Sequence, residues 1–432
     1  LAPDRKEWTI DPDAPGKIVV FGTMNAMPPA YAIALRHLGQ DAHAFIDVPQ
    51  TDTLSRPEYH FPEIHYPYPA WLTEIILPSQ LLASFFPRLT LRAMLRRAGI
   101  SRRDIKAVVL SGQFIRFAPL FGRNLKKYFL SYGSDLDIWC SVPNAPKLAE
   151  GMLGLSVFRF LPAASVRRLI PRIVGRNLAA AKTVDAVIYF PKGTSATGDE
   201  VLAVLEAAGV KHVPRYDLSF DQFFGVSRGP KVPGDKLVIV SPTRFIFKTF
   251  SEGAENYSKG NDRIIRGLAL FRKICPELEI HFFEKGEDVA EAKRLCAELG
   301  LEDAVTWHGQ VPFRELIGFY ERADLCIDAI GDHLVGAAGL YGMYMHRPLV
   351  ANARKLTDFY GDNPILHAET AEDVRDGLTR LIDPNYRRAL GQRSAEFVER
   401  TMGLERVINQ IVAPSTSAAA SVASHGNNGT DR

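Results

Sequence analysis

The stretch from Asp324 to Ala351 has the plainest chemical meaning in the chain. A short apolar run, Leu325-Cys326-Ile327 between Asp324 and Asp328, is followed by Gly331, by Gly336-Ala337-Ala338-Gly339, and by Arg347-Pro348-Leu349-Val350. The run reads as a buried strand and the small residues as the start of the helix after it. The first amides of a helix have no partner within it and stand at the positive end of its dipole. A helix opening on Gly and Ala therefore offers bare N–H groups to an anion, and a phosphate suits such a site. A second reading stands beside this one: the residues are small so that the helix can lie close on its sheet. Metal chemistry finds no comparable foothold, because no acid cluster has metal spacing. Cys140, Cys275, Cys296 and Cys326 lie far apart, which predicts free thiols in a reducing compartment.

The elements that must position these residues are bounded first by length and charge. A chain of 432 residues predicts two domains, each able to bury its own core. The most apolar stretch, Trp71 to Pro87, is interrupted by Glu74, Pro78 and Gln80, so no transmembrane span is expected. The first residues lack the apolar core of a secretory signal, and a cytoplasmic protein is expected. The net charge of +3 hides an asymmetry. Between Arg88 and Lys182 stand eighteen Lys and Arg against four Asp and Glu, an excess of fourteen, so the remainder carries a net −11. Such a field attracts anionic partners, with an anionic membrane surface the leading candidate and Phe85, Phe86, Phe158 and Phe160 as apolar wedges. A set of solvated helix faces is the alternative. No nucleic-acid reading motif accompanies the charge, and nucleic acid is not the expected partner.

Along the chain, Lys17 to Gly22 reads as a buried strand, Ala30 to Leu38 as a helix after a loop with Pro28 and Pro29, and Ala42 to Val48 as a returning strand. Strands are expected at Ala107 to Leu110, Tyr128 to Ser131 and Ala186 to Phe190, with helices at Phe160 to Lys182 and Asp199 to Ala208. The stretch around Gly225, Gly229, Pro230, Pro233 and Gly234 is poor in apolar residues and reads as a linker. A second alternation follows. Strands are expected at Leu237 to Ser241, Glu279 to Phe283, Ala304 to Trp307 and Leu325 to Asp328. Helices are expected at Asp262 to Lys273, Asp288 to Leu299 and Phe313 to Arg322, with two more, from Ala371 and from Asn385, closing the fold. Alternation of this kind implies parallel sheets covered on both faces, here twice. The expected division is an extension over 1–16, a first domain over 17–224, a linker over 225–236, a second domain over 237–385, closing helices over 386–412 and a disordered tail over 413–432.

From Leu237 to Ile411 the sequence resembles the GT-B glycosyltransferases of the glycogen-synthase-like kind, family 4 (glycosyltransferase group 1). The likeness rests on Arg244 after its strand, Lys259-Gly260 with Ile264, Ile265 and Ala269, and Leu299-Gly300-Leu301 with Val305. It continues through Gly309-Gln310-Val311 with Glu315-Leu316 and Tyr320, Ala323-Asp324, and Gly336 followed by Pro348-Leu349-Val350-Ala351. The first half resembles the family loosely, through its opening strand, loop and helix, through Tyr132-Gly133-Ser134-Asp135, and through Asp217 to Phe220.

The resemblance implies an α/β architecture of two doubly wound Rossmann-like domains with an interdomain cleft. It implies transfer of a sugar from a UDP- or GDP-linked donor to a glycan or lipid-linked acceptor, with retention of configuration and neither metal nor cofactor. The donor side would use Arg244 and Lys259 as cations on the leaving diphosphate, with Lys248 a rival lysine because 250–257 looks like an insertion. Gly336, Ala337 and Ala338 would supply amides, and Gly309 and Val311 would line the donor. Where the family carries paired glutamates, this chain has His333 and Tyr341, with Asp332 beside the first. A tyrosine hydroxyl can bond a ribose, while a core tyrosine is the other reading. On the acceptor side Asp135 is the candidate base, with Asp137 a rival and a turn-capping role the alternative. Asn25, after the first strand, could donate to the diphosphate or acceptor. Loss of the acidic pair also leaves open a catalytically silent scaffold, or a GT-B sugar-nucleotide epimerase.

Overall fold

A computed structural model describes residues 8–61, 63–77, 79–153, 161–216, 218, 228–232, 234–249, 258–331 and 334–413. Asp332, His333, Phe158, Phe160, the 250–257 insertion, most of the Asp217 to Phe220 match, some linker residues and the tail from 414 lie outside them. The chain divides into two compact units, Leu1–Ser219 with Leu404–Arg432, and Phe220–Gly403.

In the first unit the strands β1 (Lys17–Phe21), β2 (Ala42–Ile46), β3 (Leu72–Glu74), β4 (Ile105–Leu110), β5 (Lys126–Leu130), β6 (Ala186–Tyr189) and β7 (Lys211–Pro214) form one sheet. It is parallel throughout, in the order β3-β2-β1-β4-β5-β6-β7. The helices are α1 (Met27–His37), α2 (Leu81–Phe85), α3 (Pro87–Arg97), α4 (Ser134–Asp137), α5 (Ala145–Met152), α6 (Ala163–Ala181) and α7 (Ala196–Glu206), with a 3-10 segment at Gly112–Leu120. Alternation along β1 explains the layers. Val19 and Phe21 join one core with Leu91, Met94 and Leu202, while Ile18 and Val20 join the other with Tyr31 and Leu35. Helix α1 starts at Met27, earlier than expected, with Pro28 and Pro29 in its first turn. There a missing N–H removes no helical bond, and the ring pre-sets φ.

Both ends of the chain are stitched into this unit. The Ile10 amide donates to the Ile411 carbonyl at 2.7 Å, the Ala413 amide to the Ile10 carbonyl at 2.9 Å, and the Tyr128 hydroxyl to the Trp8 carbonyl at 2.6 Å. The last helix, Leu404–Ile411, buries Leu404, Val407, Ile408 and Ile411 in the core that holds α1.

In the second unit β8 (Leu237–Ser241), β9 (Leu278–Phe283), β10 (Val305–His308), β11 (Leu325–Ile327), β12 (Leu349–Ala351) and β13 (Leu366–His367) form a second parallel sheet, ordered β10-β9-β8-β11-β12-β13. Its helices are α8 (Asn261–Arg272), α9 (Val289–Glu298), α10 (Phe313–Arg322), α11 (Ala337–Tyr344), α12 (Arg354–Tyr360), α13 (Ala371–Arg380) and α14 (Pro384–Thr401), so that the final helix of the chain is α15. The strands and helices expected from Leu237 onward are all present, with ends shifted by a residue or two. Among the described residues no helix is long and apolar enough to cross a membrane.

Helices α8 and α13 pack through Gly267, where a β-carbon would lie 2.6 Å from Val374 Cβ and 2.7 Å from the Ala371 carbonyl oxygen. Alanine would gain about 1 kcal/mol of helix propensity at this position. It would also have to push the packed helices away from each other, and overpacking of this kind costs roughly 1–3 kcal/mol. Gly267→Ala is therefore expected to lower the urea-unfolding midpoint. An unchanged or raised midpoint would show that the contact at Gly267 does not limit the packing.

Candidate functional site

In the second sheet the chain runs outward from β8 to β9 and β10, then crosses back to continue with β11 on the other side of β8. The loops leaving the carboxyl ends of β8 and β11 must therefore diverge, and the crevice between them is where open α/β sheets take ligands. Asp328, buried at the end of β11, holds the crevice together. It accepts a hydrogen bond from Thr243 Oγ1 at 2.9 Å and another from the Gly336 amide at 2.5 Å. Both readings of the small residues bear on this contact. A β-carbon at Gly336 would lie 2.8 Å, and one at Gly339 2.7 Å, from Asp328 Oδ2, so close approach demands glycine at both. The Gly336 amide is engaged by Asp328, while Ala337 at the head of α11 is exposed. The first turn of α11 is anchored from behind, the Tyr320 hydroxyl donating to the Ala338 carbonyl at 2.7 Å.

Lys259 lies in the same crevice. Its amide donates to the Ile246 carbonyl at 2.7 Å, and its carbonyl accepts from the amides of Ile330 at 3.0 Å and Gly331 at 3.3 Å. Close packing requires glycine on both sides: a β-carbon at Gly331 would meet the Ser258 carbonyl oxygen at 1.9 Å, and one at Gly260, where φ is +69°, would meet Ile330 at 2.8 Å. The Lys259 ammonium has its pKa held down by burial, with Asp328 opposing that shift and the Arg244 charge adding to it. Lys285, which follows β9, is likewise held down by burial and by Arg244. The backbones of both lysines bond the segment that follows Arg244, Lys285 through the Phe245 amide at 2.7 Å and Lys259 through the Ile246 carbonyl at 2.7 Å, so Arg244 lies within electrostatic reach of both.

Arg244 is half-exposed and pairs with the equally exposed Glu287 at 2.6 Å. Lys248 turns to α9 instead, pairing with Glu291 at 2.7 Å. The loop between them is pinned by Asp288, which accepts from the amides of Phe247, Lys248 and Thr249 at 2.7, 2.8 and 3.1 Å. Burial pushes the Asp288 carboxyl up, but bonds from Thr249 and the amides more than offset it and leave its pKa below the ordinary value. Gly309 and Val311 follow β10 at the sheet edge. Tyr341 is buried in α11, its ring 4.7 Å from that of Phe313.

The first sheet has the same switch, between β1 and β4. Asn25, in the loop after β1, is exposed and takes φ +53°, and Ala26 beside it takes φ +57°. Two successive non-glycine residues in this region are unusual, and such backbone concentrates at functional sites. Asp135 is buried. Its carboxylate accepts from Ser131 Oγ at 2.6 Å and from the amides of Tyr132, Leu136 and Gly112 at 2.9, 3.1 and 3.2 Å. Three of these donors converge on Oδ1 and one reaches Oδ2, and together they tie the loop after β5 to the one after β4. Burial raises its pKa, opposed by these bonds. Asp137 is half-buried and bonded to the Tyr189 hydroxyl; burial pushes its carboxyl up to about 6.

Lys285 and Asp47 were not singled out from the sequence. Lys285 could have been found as the first cation after a central strand. Asp47 follows β2, and only the fold brings Thr23 and Gln80 onto it, Thr23 through its hydroxyl and Gln80 through Nε2 at 2.6 Å. Burial pushes its carboxyl up to about 7, against a pull downward from Gln80.

Asp47 ionises in the unfolded chain near its ordinary value of 3.8 and in the folded chain near 7. Between those values the folded state binds the proton more tightly, so this group's contribution to stability falls as pH rises through the window and is level above it. Asp47→Asn removes the ionisation and can keep both hydrogen bonds. The variant is expected to gain on the parent between pH 5 and pH 8 by about 2.7 kcal/mol, because about two of the three pKa units, at 1.36 each, fall within that interval. Urea unfolding at the two pH values measures it, and a parent-to-variant difference independent of pH would refute the assignment.

No family model matches the sequence, and comparison with curated proteins returns no match. Solved structures do resemble it. A glycosyltransferase from Rickettsia africae ESF-5 aligns with a TM-score of 0.57 at 12% identity, over 96% of this chain and 100% of that one. Sucrose-phosphate synthase from Thermosynechococcus elongatus aligns at 0.55 and 13%, over 95% and 100%. A putative UDP-N-acetylglucosamine 2-epimerase from Listeria monocytogenes aligns at 0.52 and 12%, over 97% and 98%. At such identities what is shared is the fold, and the chain has the GT-B fold of two Rossmann-like units.

Proposed function

We propose that the protein is a glycosyltransferase that moves a sugar from a UDP- or GDP-linked donor to a glycan or lipid-linked acceptor. The observation that carries this reading is the cationic group at the switch point of the second unit. Lys259 is half-buried beside Asp328, with Arg244 in electrostatic reach and the exposed head of α11 next to them. Glycosyl transfer builds negative charge on the leaving diphosphate, and preorganised cations and amides stabilise that charge most where water is excluded. Arg244 suits the task because its present partner is a surface pair worth about 1 kcal/mol or less, readily exchanged for a phosphate fork.

In this reading Lys259 and Arg244 take the diphosphate, the amides of Ala337 and Ala338 add to them, and the charge is met by side chains without a metal. Gly309, Val311, Asp332, His333, Gly336 and Tyr341 complete the donor side, Tyr341 by holding α11 through Phe313, while Lys248, paired with Glu291, leaves the lysine role to Lys259. The first unit takes the acceptor, with Asn25 at its β1 loop and Asp135 fixing the turn after β5. Retention of configuration and a role in polysaccharide or glycoconjugate synthesis belong to the same proposal.

The likeness to the Listeria structure favours a second reading, a sugar-nucleotide epimerase. Incubation with labelled sugar nucleotides separates the two. Slow donor hydrolysis without acceptor supports the transferase, a changed sugar supports the epimerase, and binding without turnover supports a silent scaffold.

Two measurements test the donor site. A nucleoside diphosphate at one hundred times its dissociation constant should stabilise the protein by about 2.7 kcal/mol. No thermal shift with any of a panel would sink the reading. Arg244→Ala should lower turnover about a hundredfold with little change in melting temperature, and Arg244→Lys should recover only a fraction of it, since a point charge lacks the guanidinium fork. A lowered melting temperature with intact turnover would make Arg244 a structural residue.

A further inference from the structure

Helix α3 carries Arg88, Arg92 and Arg96 at every fourth position, which sets three exposed guanidinium groups in one row. Arg102, in the turn that follows, joins them around a cavity of about 690 Å³ also lined by Leu95 and Leu120. Like charges at this spacing destabilise a helix, and among the described residues none of the four is ion-paired. Helix α6 repeats the device with Arg168, Arg172 and Arg176, all exposed. Both helices pack against the same 3-10 segment, Gly112–Leu120. At the head of α3 stand Phe86, 56% exposed, and Leu89, 63% exposed and next in sequence to the first arginine of the row.

Two uncompensated arginine rows describe a surface made for several phosphates at once, since each guanidinium can grip a phosphate by two parallel bonds. The apolar side chains choose among phosphate sources. The exposed aromatics, Phe85 and Phe86, stand at the head of α3 and do not line the cavity, so the arginine row has no aromatic platforms of the kind that stack exposed bases, and the side chains beside it, Leu89 and Leu120, are aliphatic. They suit the boundary between headgroups and acyl chains. We propose that this face of the first unit docks on an anionic phospholipid bilayer, with a headgroup phosphate in the α3 groove and Phe86 and Leu89 entering the interface.

The test uses the full chain without nucleotide, so it succeeds or fails independently of the donor-site reading. Sedimentation is measured with vesicles of phosphatidylcholine alone and of phosphatidylcholine with phosphatidylglycerol. Binding is expected only to the second, with release by salt. Losing an arginine near such a surface costs roughly fivefold in partitioning, so Arg88→Ser/Arg92→Ser/Arg96→Ser should lose about a hundredfold. The α6 variant Arg168→Ser/Arg172→Ser/Arg176→Ser should fall similarly, which keeps the test alive if the first variant fails to fold. Phe86→Ser/Leu89→Ser should bind more weakly, and what remains should be more salt-sensitive. Equal binding to both vesicles, undiminished binding by the folded arginine variants, or preference for a single-stranded RNA oligonucleotide over anionic vesicles would overturn the proposal.

Discussion

A carboxylate buried at the end of a central strand must be met by donors, because an isolated buried charge costs several kcal/mol. Asp328 is met by the hydroxyl of Thr243 and the amide of Gly336, which come from opposite sides of the switch point. This one side chain therefore sets where the loop after β8, the loop after β11 and the head of α11 lie relative to each other. Much of the local sequence answers to it. Glycine is required at 336 and 339 so that α11 can come down on the carboxylate, and at 331 and 260 so that the backbone around Lys259 can close beneath it.

The same carboxylate shapes the electrostatics. A lysine buried alone would shed its proton, and burial does pull the Lys259 ammonium down, while Asp328 counteracts it and Arg244 reinforces it. The result is a local excess of positive charge, with Lys285 contributing to it from the end of β9. Its outermost member, Arg244, has a solvent-exposed partner and the freedom that goes with it.

The first unit uses its charge differently. Asp135 and Asp47 are buried carboxyls committed to hydrogen bonds that join successive strand ends. The basic excess is carried on the exposed sides of helices instead. An arginine every fourth residue on α3 and again on α6 gives each helix one strongly cationic side, and the apolar sides of the same helices pack inward.

Periodicity and composition settle a good deal on their own. Strands that are apolar on both faces with helices of period 3.6 between them imply parallel α/β structure covered on both faces, while the strand order of the folded chain shows two open sheets and not a closed barrel. The arginine rows can be read directly, because helical spacing alone brings every fourth residue to one side. The cluster Gly336 to Gly339 could be read as tight packing or as an anion site, and only the position of Asp328 shows that packing accounts for both glycines while Ala337 stays exposed. The roles of Asp135 and Asp47 are equally undecided by sequence. Whether a carboxylate is free or occupied depends on donors distant in sequence, here Gly112, Thr23 and Gln80, and such partners are set by strand order and register. For the same reason α15 could be recognised as a helix that closes the chain, but not as one that returns to the first core. Its apolar stripe fits any apolar face, and the bonds that join Ile10, Ile411 and Ala413 exist only once the sheet of the first unit has formed.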